Sequence, residues 1–317
     1  NEIHPTRAKI LSENVERMGI CNAIVTNETP EKLVVKFHEF FDKILVDAPC
    51  SGEGMFRKNP DSISEWSREH VQACALRQLH ILNTAKNALR TGGVLVYSTC
   101  TFSYEENEGV IKQFLAENSD FELAEVDMTN KRSYMQGCER IFPMDGGEGH
   151  FCAKLIKKSG ENDNITKEYS PAKLSKSDLK TIDTAYGEIF PKRHFGEKIS
   201  VVNDHVFMIP DYAPDISKLG VLRCGVYLGN IKGNRFEPSH GAFMASTSDQ
   251  CANYVSLEYG SEDLKKYLHG EEIELKERED IKGYTAVTVD GITIGFGKIS
   301  NGKLKNKYPK GLRLLNG

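Results

Sequence analysis

The sequence predicts an α/β protein: a parallel sheet with crossover helices in its first half, then a small α+β domain, then a mostly β terminal domain. Three observations carry that expectation. Short β runs alternate with amphipathic helical stretches up to about residue 115, which is the pattern of a parallel sheet with crossover helices. A polar, turn-rich stretch interrupts the chain between residues 157 and 173, as an interdomain linker does. Beyond about Tyr254, apolar and polar positions alternate as they do in strands.

Taken in order, the first helix is expected over Pro5 to Met18. Leu11, Val15 and Met18 fall on one face, Pro5 suits the first helical position, and Gly19 suits the cap. Asn22 to Val25 is a short strand candidate, and Phe41 to Asp47 is a stronger one that ends abruptly at Ala48-Pro49-Cys50-Ser51-Gly52. The series Val71, Ala75, Leu79, Leu82, Ala85 and Leu89 marks an amphipathic helix that stops at Gly92-Gly93. Val94 to Ser98 is the next strand, ending in Thr99-Cys100-Thr101-Phe102. Ser103 and Glu106 then have the spacing of a capping box opening a helix with Val110, Ile111, Phe114 and Leu115 on one face. Past the linker, Leu179, Ile182, Ala185 and Ile189 form a helical face, followed by short apolar runs. Asp290-Gly291 between two alternating runs signals a β-hairpin.

At 317 residues the chain exceeds one ordinary core of roughly 100–150 residues. The expected division is a first domain over 1–158, a linker over 159–173, a middle domain over 174–250 and a terminal domain over 251–317. No apolar stretch approaches the roughly 20 residues of a membrane span, and Asn1 to Pro5 lacks the features of a signal peptide. A cytoplasmic location without a membrane partner is expected. The eight cysteines show no CxxC pair, so reduced thiols are expected in place of a disulfide framework, and no cluster has metal-ligand spacing. The formal net charge of −4 leaves a nucleic-acid partner to be decided by where the charges lie.

Both strand-ending loops present a cysteine, Cys50 after Asp47 and Cys100 after Ser98, with one crossover helix between them. Parallel strands joined in this way deliver both cysteines to the same edge of the sheet, where ligands of open α/β sheets bind. Either cysteine alone reads as a small buried residue. The two together, beside a carboxylate, read as chemistry.

The runs Asp47-Ala-Pro-Cys-Ser-Gly-Glu-Gly-Met-Phe-Arg-Lys58 and Val96-Tyr-Ser-Thr-Cys-Thr-Phe102 resemble the two signature motifs of the Sun-type RNA 5-methylcytosine methyltransferases. The run Arg140-Ile-Phe-Pro143, the run Gly147 to Ala153 and the tail Leu304 to Arg313 resemble the bacterial small-subunit ribosomal RNA branch. The resemblance covers nearly the whole chain. It implies a Rossmann-like class I methyltransferase domain, incomplete at its N-terminus, and a PUA-like RNA-binding domain at the C-terminus. It also implies S-adenosylmethionine as cofactor and a cytosine of RNA, most simply 16S rRNA in the small ribosomal subunit, as substrate.

The implied chemistry suits the residue types. Cytosine carbon 5 is a poor nucleophile until a thiolate adds to carbon 6, a role the resemblance gives to Cys100. Loss of the carbon-5 proton and release of the enzyme fall to Cys50. Asp47 is implied to steady the pyrimidine and to lie near the cofactor's methionine end. Glu2 and Glu28 match the acidic positions for the cofactor's ribose and adenine. The family's glycine-rich cofactor loop lies ahead of the residue that Glu2 matches, so this chain is expected to bind S-adenosylmethionine weakly or not at all by itself. A smaller departure is Met144, where relatives often carry histidine.

Charge placement points to RNA. Between Lys298 and Gly317 stand Lys298, Lys303, Lys305, Lys307, Lys310 and Arg313 with no acidic residue, and Phe296 and Tyr308 lie among or near them. Cations neutralise phosphates and aromatic rings stack on unpaired bases. Arg57 and Lys58, after Cys50, are placed to grip phosphates beside the target. DNA is not expected as partner: DNA cytosine-5 enzymes carry the nucleophile in a Pro-Cys motif, and the additional Thr-Cys pair at Cys100 argues against that reading. A transfer RNA substrate, or a catalytically silent RNA-binding factor, are the alternatives.

Overall fold

The computed structural model describes every residue except 127–132, 161–165, 172–173, 194–197, 234, 276–280 and 315–317. Parts of the expected linker and the end of the basic tail therefore lie outside the described residues. The chain separates into two compact units, residues 28–167 and residues 1–27 with 168–317.

Residues 1–27, expected within the first domain, group with the second unit. They form α1 (Pro5–Arg17) and β1 (Ile24–Thr26). A three-residue strand must satisfy its backbone groups somewhere, and β1 does so antiparallel to Val221–Cys224. The ion pair of Glu16 with Arg223 fastens α1 to the same strand.

In the first unit, α2 (Pro30–Lys36) leads to β2 (Phe41–Asp47), α3 (Arg68–Ala85), β3 (Leu89–Thr99), α4 (Glu108–Glu117), β4 (Phe121–Ala124), β5 (Cys138–Ile141) and β6 (His150–Lys157). The sheet runs in the order β2-β3-β6-β4, with β5 also on β6. As the sequence predicts, β2 and β3 are parallel, with Asp47 opposite Ser98. The antiparallel β6 then makes the sheet mixed. Helix α3 ends before the predicted Gly92-Gly93, because a 3-10 turn over Lys86–Ala88 hands Leu89 to the strand. Leu82, Leu89, Leu95, Tyr97, Ile111, Phe114 and Leu155 fill the core between sheet and helices.

The second unit continues with α5 (Lys176–Ile189), β7 (Ile199–Val202), β8 (His205–Met208), β9 (Val221–Cys224), β10 (Val226–Lys232), β11 (Arg235–Pro238) and α6 (His240–Met244). It ends with β12 (Tyr254–Leu257), α7 (Glu262–His269), β13 (Ile273–Glu274), β14 (Gly283–Val289), β15 (Ile292–Ser300) and β16 (Lys303–Asn306). One sheet, antiparallel throughout, has the order β11-β10-β8-β7; the other has the order β12-β14-β15-β16-β13 and is antiparallel except for the parallel pair β12–β14. The predicted hairpin joins β14 to β15, with Asp290 at φ 49° and Gly291 at φ 79°, the two positive values a tight two-residue hairpin turn needs. The stretches expected as middle and terminal domains share a core. Ile182, Tyr186, Phe190 and Phe243 pack with Ala286 and Phe296, and the Phe243 and Phe296 rings stack at 4.5 Å. Among the described residues, no helix is long and apolar enough to cross a membrane.

Candidate active site

The parallel pairing of β2 and β3 brings their two C-terminal loops side by side. Ala48 N–H donates to the Ser98 carbonyl at 3.0 Å, extending the ladder one step past Asp47. Cys50 and Cys100 follow, and their sulfurs lie 3.2 Å apart. The Cys100 backbone N–H also points at the Cys50 sulfur, at 3.4 Å. Both thiols are half-buried, and Asp47 is exposed beside them, accepting from Ser98 Oγ at 3.2 Å.

This contact sets the acidity of the pair. The Cys50 S–H, held against it, lowers the Cys100 thiol to about 7, against the opposing effects of burial and of the Asp47 carboxylate. The hydrogen bond to Cys100 and burial hold Cys50 far above an ordinary thiol, so it keeps its proton. Elsewhere burial is the first cause that pushes Cys138 and Cys251 up to about 12, with neighbouring charges such as Glu108 and Asp249 adding to it, and burial by itself lifts Cys224 to about 11. Cys100 is the cysteine prepared to be a thiolate, the nucleophilic form.

A buried brace holds the two loops. Glu106 is fully buried. Its carboxylate accepts from Ser51 N–H at 3.0 Å, from Ser51 Oγ and from Gln78 Nε2 at 2.8 Å. Gln78 donates as well to the Pro49 carbonyl at 2.9 Å, and the Tyr97 hydroxyl donates to the Glu106 carbonyl at 2.6 Å. The loop after Cys50 is thus tied to α3 and to the segment following β3. Glu53 repeats the theme, accepting from Phe102 N–H at 2.9 Å and from Trp66 Nε1 at 2.8 Å. Gly54 N–H meets the Cys100 carbonyl at 2.9 Å. A Cβ at Gly54 would stand 2.6 Å from the Gly149 carbonyl oxygen, so only glycine permits this approach.

The run beginning at Arg140 supports the same loops from β5. Arg140 and Glu108 are both buried and pair through Nε at 2.8 Å and Nη2 at 2.5 Å. Arg140 Nη1 donates to the Phe102 carbonyl at 2.8 Å. Burial alone would raise the Glu108 carboxyl, but the guanidinium, its own backbone N–H and Ser133 Oγ hold it below the ordinary range.

The structure brings together Cys50, Cys100 and Asp47 from the predicted set. Arg57 and Lys58 follow Cys50 closely and are exposed, yet both face Glu148, at 3.7 and 3.8 Å, which offsets part of their charge. Glu28 is buried in the first unit and paired with Lys32 at 2.9 Å. Glu2 belongs to the second unit, where Arg7 pairs with it at 3.1 Å. Lys305, Lys307 and Lys310 are exposed. Arg313 donates to the Tyr308 carbonyl from Nη2 at 3.3 Å, a contact that leaves its charge in place. Met144 is exposed. No group of side chains able to hold a metal occurs among the described residues.

Sequence reasoning missed Gln78, Glu53 and Trp66, and it misread Glu106 as half of a capping box. Ser103 Oγ contacts Glu105 at 2.9 Å instead, and α4 begins only at Glu108. The acidic run Glu105-Glu106-Asn107-Glu108 lies at the start of a helix whose apolar face enters the core. That was the available signal that some of those side chains are buried.

Three family models match the sequence. Residues 1–156 match the family model of 16S rRNA methyltransferase RsmB/F. Residues 187–245 match the RsmF rRNA methyltransferase first C-terminal domain, and residues 254–314 match the methyltransferase RsmF PUA domain. Ribosomal RNA small subunit methyltransferase F of Shewanella piezotolerans is 30% identical over 98% of this chain and 68% of that protein. The chain belongs to this family. The same-named protein of Aeromonas salmonicida is 31% identical over 98% of this chain and 67% of its own length. Among solved structures, NSun6 from Pyrococcus horikoshii with SFG is 34% identical, covering 50% of this chain and 40% of that one, with a TM-score of 0.45. The fold is accordingly that of a Rossmann-like methyltransferase domain with a PUA domain at the C-terminal end.

Proposed function

We propose that this chain belongs to an enzyme that methylates carbon 5 of a cytosine in RNA through a covalent cysteine–cytosine adduct, with 16S rRNA of the small ribosomal subunit as substrate and the cytoplasm as its place of work. One observation supports this above the others: two thiols 3.2 Å apart at one sheet edge, of which one ionises near neutrality and the other does not. Family membership supports an RNA methyltransferase, and the thiol pair supports carbon 5, because an amino-group transfer needs no covalent nucleophile.

Cys100 adds as thiolate to carbon 6 of the cytosine, forming a carbon–sulfur bond and moving the electron pair of the double bond to carbon 5. S-adenosylmethionine, when bound, supplies the methyl group. The residues suit it in kind: Asp47 stands exposed beside the thiols, a carboxylate able to accept from the cofactor's ammonium, and Glu28, in the same unit, is assigned to the adenine end. Glu2 is assigned to the same cofactor. Release requires removal of the proton on carbon 5. Cys50 is held protonated by its contact with the Cys100 sulfur. Once that sulfur is bonded to carbon its charge no longer opposes ionisation of Cys50; the half-buried thiol then gives its own proton to water, and the resulting thiolate takes the proton from carbon 5. The electron pair left at carbon 5 then restores the double bond, and the Cys100 thiolate departs.

RNA is held by Arg57 and Lys58 beside the thiols and by Lys305, Lys307, Lys310 and Arg313 in the terminal domain. The domains are drawn as catalytic over 1–158, linker over 159–173, middle over 174–250 and PUA-like over 251–317. The test is a trap. With 16S rRNA and S-adenosylmethionine, Cys50→Ala should accumulate a covalent protein–RNA adduct, and Cys100→Ala, with Cys50 retained, should accumulate none. An adduct that survives removal of Cys100 reverses the two roles.

A further inference from the structure

The middle sheet carries an aromatic group that no part of the thiol chemistry uses. Phe207 on β8 is directly opposite Tyr227 on β10, and His205 lies two residues from Phe207 on the same face. The ring centroids of Phe207 and Tyr227 are 5.4 Å apart, those of His205 and Tyr227 5.6 Å, and those of His205 and Phe207 6.5 Å. His205 Nδ1 and the Tyr227 hydroxyl meet at 3.2 Å, which fixes the rings relative to each other. The group faces away from the core. Val206, Leu228 and Phe236 are buried inside, whereas His205 is exposed and Phe207 and Tyr227 are half-buried.

Lys232 and the carboxylates of Glu16 and Glu237 lie near Tyr227, and further cations of the same unit gather around Glu237. The Glu237 carboxyl on β11 is held below its ordinary range by Lys232 first, and by the nearby Lys307 and Lys298. One carboxylate there faces several cations. On the terminal sheet, Tyr284, Lys298 and Lys305 form one row across β14, β15 and β16, and the Lys298 ammonium sits 5.0 Å from the centre of the Tyr284 ring. Two lysines directly opposite on adjacent strands repel one another, an arrangement that an anion between them relieves.

We infer that the His205–Phe207–Tyr227 face is a stacking platform for unpaired RNA bases, with the backbone phosphates led across Lys298, Lys305 and Lys307. The chemistry of the two halves differs as a single strand requires. Aromatic rings take any base by its face, and cations take the backbone between bases. The inference rests on the reading of RNA as substrate. It adds a binding surface outside the terminal domain and remote in sequence from both thiols.

Trp66 is the only tryptophan of the chain, which makes a direct test available. In a Trp66→Phe background, Phe207→Trp places a reporter on the platform. A short single-stranded oligocytidylate should quench its emission saturably. Phe207→Ala in the otherwise native chain should weaken binding of the same oligonucleotide about tenfold, as the loss of one stacked base does, while leaving the salt dependence unchanged. Lys298→Gln should lower the slope of log affinity against log salt by about one instead. His205→Ala, at an exposed position, repeats the stacking test without disturbing the core. Equal affinity of the native chain and both alanine variants, with no quenching at position 207, overturns the platform and leaves that face to a protein partner. Absence of any binding by the native chain overturns the platform together with the RNA reading itself.

Discussion

Residues 28–167 bury Glu39, Glu106, Glu108, Arg140 and Lys157, whereas the other unit closes its core with Tyr186, Phe190, Phe243 and Phe296. Among the described residues, every buried Glu, Lys or Arg belongs to the first unit. A buried charge is costly unless it is fully satisfied, and it is then directional in a way that apolar packing is not. The unit that carries the thiol pair therefore spends charge on fixing backbone, at Ser51, at Phe102 and, through the Glu39–Lys157 pair, at the Leu89 carbonyl. The other unit presents surfaces and has no such need. Precise placement of two sulfurs and display of rings and lysines are met by different interiors.

The contrast can be broken in a definite order. Cys100→Ala should reduce 5-methylcytosine formation to background, measured by mass spectrometry of digested rRNA, with the thermal unfolding midpoint nearly unchanged. A residual rate within tenfold of the native one would remove Cys100 from the chemistry. Next in size, Arg140→Ala should cost about 3–5 kcal/mol in urea unfolding, since it leaves Glu108 charged and buried. The double change Arg140→Met with Glu108→Leu should recover most of that stability without recovering the reactivity of Cys100. Phe243→Ala should cost a comparable amount, about 3–5 kcal/mol for an aromatic removed from a core, yet leave Cys100 alkylation untouched. If it slows alkylation, the two interiors are not independent.

A smaller effect concerns pH. Cys100 alkylation by iodoacetamide should be half-maximal near pH 7 in the native chain, falling below that as the thiolate takes up a proton. Cys50→Ala removes the S–H donor, so the midpoint should move up toward the ordinary thiol value of about 8.5. A midpoint unmoved by Cys50→Ala would separate the two sulfurs functionally. The smallest effect is expected at the basic tail. Lys310→Gln should lower the salt slope of RNA binding by about one and change nothing in the first unit.

Much of this was readable in the residues. The two strand-loop-cysteine units are local signals, and parallel pairing follows from their order in the chain, so Cys50, Cys100 and Asp47 meet as expected. The Asp290-Gly291 hairpin was equally local. What escaped depends on three-dimensional partners. The spacing of Ser103 and Glu106 is that of a capping box, but the donors Ser51 and Gln78 compete for the carboxylate and win by burying it. The charge of Arg57 and Lys58 was visible, while the proximity of Glu148, far along the chain, was not. The grouping of residues 1–27 with the second unit was hidden for the same reason. Three residues of strand say little about which distant edge they join.

Glu106 has one more implication. Its carboxylate stabilises the Cys50 loop through neutral donors, so its negative charge is left uncompensated by any of the hydrogen bonds it accepts. That charge reaches Cys100 and opposes its ionisation, more weakly than Asp47 does. The brace and the nucleophile are therefore in tension. A glutamine at position 106 would make the thiolate easier to form and the loop that aims it harder to hold, so sulfur reactivity and productive turnover should move in opposite directions. A site tuned only for the most reactive thiol would not keep an acid there. One tuned to hold a moderately reactive thiol in register with its partner would.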